Sequence, residues 1–296
     1  MCQDCGCAAS GVHVHSHEHS DAAQGRASDA EHVHGHAHGH AHGHAPDARR
    51  TVEVMRGLLD ANDREAAHNR AHLDSNGVLA LNLMSSPGAG KTSLLEATID
   101  ALAGRWRVAV IEGDLETEND ARRIRAKGMP AVQITTGTAC HLDAHMVHRA
   151  LHTLDTGAID ILFIENVGNL VCPASFDLGQ HANVTLLSST EGDDKPAKYP
   201  VMFRAADLLL LTKCDLLPVL DDFDPDAAEA HQRALGSAAP VLRVSARQPA
   251  TLEPWLVWLD DMLSRRRAGE ALRPALQPEG RRLHGLESEP DMSIPR

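Results

Sequence analysis

The first 50 residues of this chain contain no Leu, Ile, Phe or Trp. A segment without large apolar side chains cannot offset the entropy of ordering its backbone, so residues 1–50 are expected to be disordered alone. Basic charge is also short: 28 Lys and Arg stand against 41 Asp and Glu, a formal net charge of -13. Nucleic-acid binding needs clustered cations to neutralise phosphates and is not expected. Apolar runs never reach the roughly 18 residues of a membrane span, and the N-terminus lacks the basic and apolar regions of a signal peptide. The expectation is therefore a cytoplasmic protein with no membrane partner. In a reducing compartment, Cys2, Cys5, Cys7, Cys140, Cys172 and Cys214 read as metal ligands or plain core thiols rather than disulfides.

At 296 residues and 43% hydrophobic, the chain is long enough for one large domain or two ordinary ones. Composition changes near Arg49. From there Val54, Leu58, Leu59 and Ala61 approximate helical spacing, and Asn76-Gly77 closes the segment. Seven short apolar runs follow, at 78–83, 107–112, 131–134, 160–165, 183–189, 207–212 and 240–245, separated by amphipathic stretches. Nearly continuous apolar strands alternating with helices predict an α/β fold, a mostly parallel sheet with helices on both faces. Residues from about 265 onward carry several prolines and many charges and read as a loose tail. The expected organisation is a disordered Cys/His-rich metal-binding tail over 1–50, a nucleotide-binding domain with its leading helix over 51–264, and a loose tail over 265–296.

Directly after the first predicted strand stands SSPGAGKTS. It fits the phosphate-loop pattern G-x-x-x-x-G-K-[ST], with Ser85 in place of the first glycine. Gly88, Ala89 and Gly90 let the backbone wrap a phosphate, and the helix that follows presents its positive end. Lys91 would bridge the outer phosphates, the Thr92 hydroxyl would bind Mg2+, and Ser93 completes the loop. The competing reading is a glycine-rich strand-to-helix turn. Lys213 and Asp215 in TKCD would read guanine, because an aspartate accepts two hydrogen bonds from donors that adenine lacks. Ser245 and Ala246 supply a small polar turn near the guanine O6. Thr212 stands where an asparagine usually ties this loop to the phosphate loop, which predicts weaker nucleotide binding. Without the phosphate loop, a solvated strand end would explain TKCD equally well. Two acidic sites complete the set, Glu112 and Asp114 after the second predicted strand and Glu165 at the end of the fourth. Asp114 is the candidate for a Mg2+ or attacking-water contact, and Glu165 for the Walker B carboxylate; either can be an ordinary strand-end acid.

Three clusters suit soft or borderline metals. MCQDCGC gives thiols at Cys2, Cys5 and Cys7, a ligand array unless it is a redox pair. Eleven histidines precede residue 45, among them His32, His34, His36, His38, His40, His42 and His44. Such a tract holds Ni2+, Zn2+ or Cu2+ without fixed geometry, and its irregular spacers argue against a cloned affinity tag. Inside the domain, Cys140 and His141 are expected to begin a helix, with His145 one turn on and Cys172 arriving from another loop. Thiolates and imidazoles in that set suit Zn2+ or Ni2+, with buried thiols and surface histidines as the alternative.

The stretches LNLMSSPGAGKTSLLEATI, VIEGDLETENDARRI, TGTACHLDAHMV, FIENVGNLVCPASFDLG, LSSTEGDDKPAKYPVMF and LLLTKCDLLP, in that order, resemble the HypB family over most of 51–264. The resemblance implies a SIMIBI-class GTPase that hydrolyses GTP with Mg2+, dimerises with nucleotide, and helps deliver nickel to [NiFe]-hydrogenase. It implies domain metal ligands at Cys140, His141 and Cys172, with His145 as an additional candidate, and a tail motif at Cys2, Cys5 and Cys7. It also implies, as partners, the hydrogenase large subunit and a HypA-like nickel chaperone. Two other readings stand beside it: a nickel store whose nucleotide site is minor, and a urease-type nickel GTPase.

Overall fold

In the computed structural model, residues 48–115 and 118–276 are described, with side chains from residue 57 onward. The expected tail ligands Cys2, Cys5, Cys7 and the His tract, and most of the expected C-terminal tail, lie outside these residues. In chain order the elements are α1 (Ala48–Ser75), β1 (Leu79–Ser85), α2 (Lys91–Leu102), β2 (Val108–Asp114), α3 (Asn119–Ala126) and β3 (Ala131–Thr135). After these come α4 (Ala144–Leu151), β4 (Ile161–Glu165), β5 (Ala182–Ser188), α5 (Lys195–Lys198), α6 (Pro200–Arg204), β6 (Leu208–Thr212), α7 (Pro225–Ala234), β7 (Val241–Arg243) and α8 (Glu253–Arg267).

Every apolar run of the sequence becomes a strand, and the strands form one parallel sheet of order β3-β2-β4-β1-β5-β6-β7. Side chains alternate across the pleat and so divide between two cores. Leu79, Leu81 and Leu83 of β1 join Val110 and Phe163 under α2 and α8, where Trp255 is fully buried. Ala80 of β1 faces the other way, with Ile111, Leu162 and Ile164, against Leu73 of α1 and Val147 of α4. On that second side α6 and α7 cover Leu209 and Leu211 with Met202, Phe203 and Ala228. Helices therefore cover both faces, and no helix of the described residues is long and apolar enough to cross a membrane.

The leading helix differs from its sequence pattern. Leu59 is buried, but Leu58 is exposed. Polar residues anchor this helix: Asn62 Nδ2 donates to the Asp177 carbonyl (2.8 Å), and Asn69 Nδ2 donates to Ala144 O (2.8 Å) and Leu178 O (3.1 Å). Arg70 forks onto both oxygens of Asp177 at 2.6 and 2.8 Å. Buried groups of this kind are stable only when bonded, so they fix where α1 meets the loop after β4. Gly179, at φ 93, lets the chain pass: a Cβ there would lie 2.8 Å from the Ala66 carbonyl.

Candidate functional site: a nucleotide cleft joined to a thiolate cluster

Strand β1 delivers Ser85 to the C-terminal edge of the sheet, where ligands of open α/β sheets bind. Gly88 (φ 76) and Gly90 (φ 95) are both left-handed. Their conformation curls the loop and leaves the first N–H groups of α2 without a side-chain cap, facing the cleft. Lys91 is buried, and its Nζ donates to Ser85 Oγ at 3.0 Å. The serine that replaces glycine here thus holds the lysine in position. Thr92 Oγ1 donates to Glu165 Oε1 at 2.9 Å.

Glu165 ends β4 directly across the register from Glu112 of β2. Both are buried, and one oxygen of each, Oε2, lacks a hydrogen-bond partner among the described residues. Burial first, and the Glu165 carboxylate second, push Glu112 up to about 11, while burial also raises Glu165. The pair therefore carries a proton at neutral pH unless a cation replaces it. Glu112, Glu165 and Asp120 of α3 bring carboxylate oxygens within 4.8 Å of one another. An all-oxygen donor set with unpartnered buried oxygens beside the Thr92 hydroxyl fits Mg2+. Asp114 lines the same cleft, with Oδ1 accepting from the Leu115 N–H at 2.6 Å. Asp120 enlarges the acidic set of Glu112, Asp114 and Glu165 expected from sequence.

A second cleft, about 730 Å³, opens on the other side of the loop. Ala89, Gly90, Ser93, Lys213, Asp215, Ser245 and Ala246 all line it, whereas Gly88, Lys91 and Thr92 line the phosphate-side cleft. Ser245 Oγ donates to Asp215 Oδ1 at 2.6 Å and so orients the carboxylate. Lys213 adopts φ 56, and its Nζ donates to the Gly88 carbonyl at 2.8 Å. Thr212 Oγ1 donates to the Ala89 carbonyl at 2.7 Å. The threonine thus makes a tie to the phosphate loop of the kind expected from asparagine, which removes the reason to expect a looser site.

Cys140 and Cys172 place their Sγ atoms 2.9 Å apart, and His141 Nδ1 lies 3.8 Å from Cys140 Sγ. These three residues offer ligand atoms within 4.8 Å of one another. His141 stacks on Phe176 with centroids 3.9 Å apart, and burial lowers its pKa, which keeps the imidazole neutral and able to ligate. Cys140 and His141 do not open a helix. Asp143 accepts a hydrogen bond from Met146 N–H (2.7 Å) as the N-cap of α4, so the helix begins at Ala144 and the two ligands sit in the loop before it. His145 lies exposed on α4, outside this cluster.

The thiolate loop touches both carboxylate loops. Asn166, next to Glu165, accepts from the Leu142 N–H at 3.1 Å, and its Nδ2 donates to Asn82 Oδ1 at 3.1 Å. A Cβ on Gly113 would fall 2.8 Å from the Leu142 side chain, and one on Gly168 would fall 2.9 Å from the Pro87 backbone. Asn169 Oδ1 accepts from the N–H groups of Val171 (2.7 Å) and Cys172 (3.2 Å), which turns Cys172 toward Cys140. The individual contacts of Asn166, Gly168 and Asn169 depend on which loops the sheet brings together.

Residues 79–243 match the family described as CobW/HypB/UreG, nucleotide-binding domain. The chain is 53% identical over 240 residues to the hydrogenase maturation factor HypB of Azotobacter vinelandii, covering 80% of this chain and 77% of that one. It is 51% identical over 212 residues to the protein of the same name from Escherichia coli K12, covering 72% and 73%. Among solved structures, HypB from Helicobacter pylori in complex with nickel superimposes with a TM-score of 0.68 at 40% identity, over 73% of this chain and 99% of that one. With a phosphate loop, a carboxylate pair and a thiolate cluster on one sheet edge, and with relatives this similar over most of their length, the chain belongs to the HypB hydrogenase maturation factors.

Proposed function

We propose that this protein is a GTP-hydrolysing nickel carrier that acts in the maturation of [NiFe]-hydrogenase. The observation that carries the reading is the physical continuity from Glu165 through Asn166 and Gly168 to Cys172, an eight-residue stretch that starts in the nucleotide cleft and ends in the thiolate cluster. Asp215 reads guanine and Lys91 neutralises the outer phosphates. Thr92, Glu165, Glu112 and Asp120 would hold Mg2+, which when bound stabilises charge on the phosphate oxygens. Asp114 orients a water whose oxygen bonds to the γ-phosphorus as the bond to the bridging oxygen breaks, leaving GDP and phosphate. Movement of the 165–168 segment on hydrolysis then alters the position of Cys172 and releases the metal.

In this reading Ni2+ is cargo at Cys140, His141 and Cys172, with Zn2+ able to compete for the same donors. His145 joins as a ligand when two copies meet, and the nucleotide-bound state is a homodimer. The tail residues Cys2, Cys5 and Cys7 and the His tract capture or store nickel, a HypA-like chaperone exchanges it, and the hydrogenase large subunit receives it. The work takes place in the cytoplasm.

The test is complementation of a strain lacking the gene, scored for hydrogenase activity and paired with GTP turnover by purified protein. Lys91→Ala and Cys172→Ala are each expected to abolish maturation, while only the first abolishes turnover. Full maturation with Lys91→Ala would reduce the protein to a nickel store and refute the proposal.

A further inference from the structure

Away from the sheet edge, α1 and α4 bring together side chains that neither the nucleotide cleft nor the thiolate cluster uses. Glu65 and His68 of α1 and His148 of α4 offer ligand atoms within 4.8 Å of one another. His152, the C-cap of α4, adds a second imidazole four residues after His148, with Nε2 of the two rings 2.9 Å apart. On a helix that spacing puts both rings on one face.

Hydrogen bonding decides which nitrogen of His148 is free. Asn69 is fully buried, and its Nδ2 is committed to the carbonyls of Ala144 and Leu178, so its amide cannot turn. Its Oδ1 therefore faces His148 Nδ1 at 3.0 Å and can only accept. Glu65 Oε1, 3.1 Å from the same nitrogen, is a second acceptor. Nδ1 must carry the proton, and the lone pair is left on Nε2, pointing at His152. A buried acceptor and a carboxylate behind one ring nitrogen, with the lone pair on the other, is the arrangement that orients metal-ligating histidines. Burial, more than the opposing pull of Glu65, lowers the His148 pKa and keeps the ring neutral.

We infer that His148 Nε2 and His152 Nε2, with His68 as a third ligand, form a second site for a borderline divalent cation, Zn2+ or Ni2+, on the α1–α4 face. Two nitrogens each about 2.1 Å from one ion lie about 3.0 Å apart at a right angle and about 3.4 Å apart at the tetrahedral angle, so the 2.9 Å spacing already present needs only a small opening of the pair. Without the ion, His152 donates its Nε2 proton to His148. When the ion enters, that proton moves to His152 Nδ1, and both lone pairs turn to the metal. His68 is the adjustable member: its side chain is 67% exposed, and its ring centroid lies 5.1 Å from that of His148.

Zn2+ titration of the full chain, followed by imidazole 15N NMR, reads each histidine separately from the tail. The Nε2 signals of His148 and His152 are expected to shift together to metal-bound values with a common midpoint, and Cys172→Ser should leave that response intact. In His152→Ala, His148 should cease to respond while the amide spectrum stays that of the folded protein. Glu65→Gln should raise the midpoint about tenfold, by weakening the support behind His148 Nδ1. A His148 Nε2 signal that stays in place while the tail histidines saturate, or that shifts equally in His152→Ala, would overturn the site.

Discussion

At the scale of single residues, Asp215 is held by one donor, the Ser245 hydroxyl, on a carboxylate that otherwise faces the cleft. Asp215→Asn replaces one acceptor oxygen by a donor, which opposes guanine N1–H and N2–H and suits the second carbonyl of xanthine. GTP affinity is expected to fall on the order of 100-fold with xanthosine triphosphate binding enhanced, as competitive nucleotide titration would read. Unchanged GTP affinity would remove Asp215 from base recognition. Thr212 makes a second test. Thr212→Val deletes the hydroxyl that reaches Ala89 O and should weaken nucleotide several-fold, whereas Thr212→Asn should retain it. The sequence identified Thr212 as a departure from a pattern. That a hydroxyl in place of the amide still reaches the loop could be judged only once β6 and the phosphate loop were side by side.

Among elements, the strands were the most legible part of the fold. A parallel sheet covered on both sides requires near-continuous apolar runs, and β1, β4, β5 and β6 are buried along their whole length. Helix α1 was less legible because Asn62, Asn69 and Arg70, buried polar residues with long-range partners, carry its attachment. The start of α4 departs from the Cys-His spacing for a local reason: the Asp143 cap sets its first turn. The segment after β4 carries the link between the two clusters. Gly168→Ala would drive a Cβ to 2.9 Å from the Pro87 backbone, which cannot yield as a side chain tip can. The loop should be displaced at a cost of about 1–3 kcal/mol, with GTP turnover reduced at least tenfold; wild-type turnover would show that this contact does not position the phosphate loop. Asn166→Ala removes the acceptor of the Leu142 N–H and should leave GTP binding while reducing the response of the thiolate cluster to nucleotide.

For the whole molecule, the Glu112–Glu165 pair ties folding to pH and to the cation. Glu112 is raised from 4.5 to about 11, so between those values the folded state holds a proton that the unfolded state has lost. Ion-free stability should therefore fall as pH rises across 6 to 9, with a slope of at most about 1.4 kcal/mol per pH unit. Mg2+ bound with nucleotide would take the place of that proton and should flatten the slope, as should Glu112→Gln; denaturant titrations at three pH values would read both. A slope that persists in Glu112→Gln would assign the effect elsewhere.

In the proposed cycle, nucleotide state sets metal affinity at Cys140, His141 and Cys172. The most direct test of this coupling follows thiolate-to-nickel absorption as Ni2+ is added to the chain carrying serine at positions 2, 5 and 7, once with GDP and once with a non-hydrolysable GTP analogue. Affinities are expected to differ between the two states, with loss of the signal in Cys172→Ser. Equal affinities would contradict the coupling, because a ligand that binds two states alike shifts nothing between them.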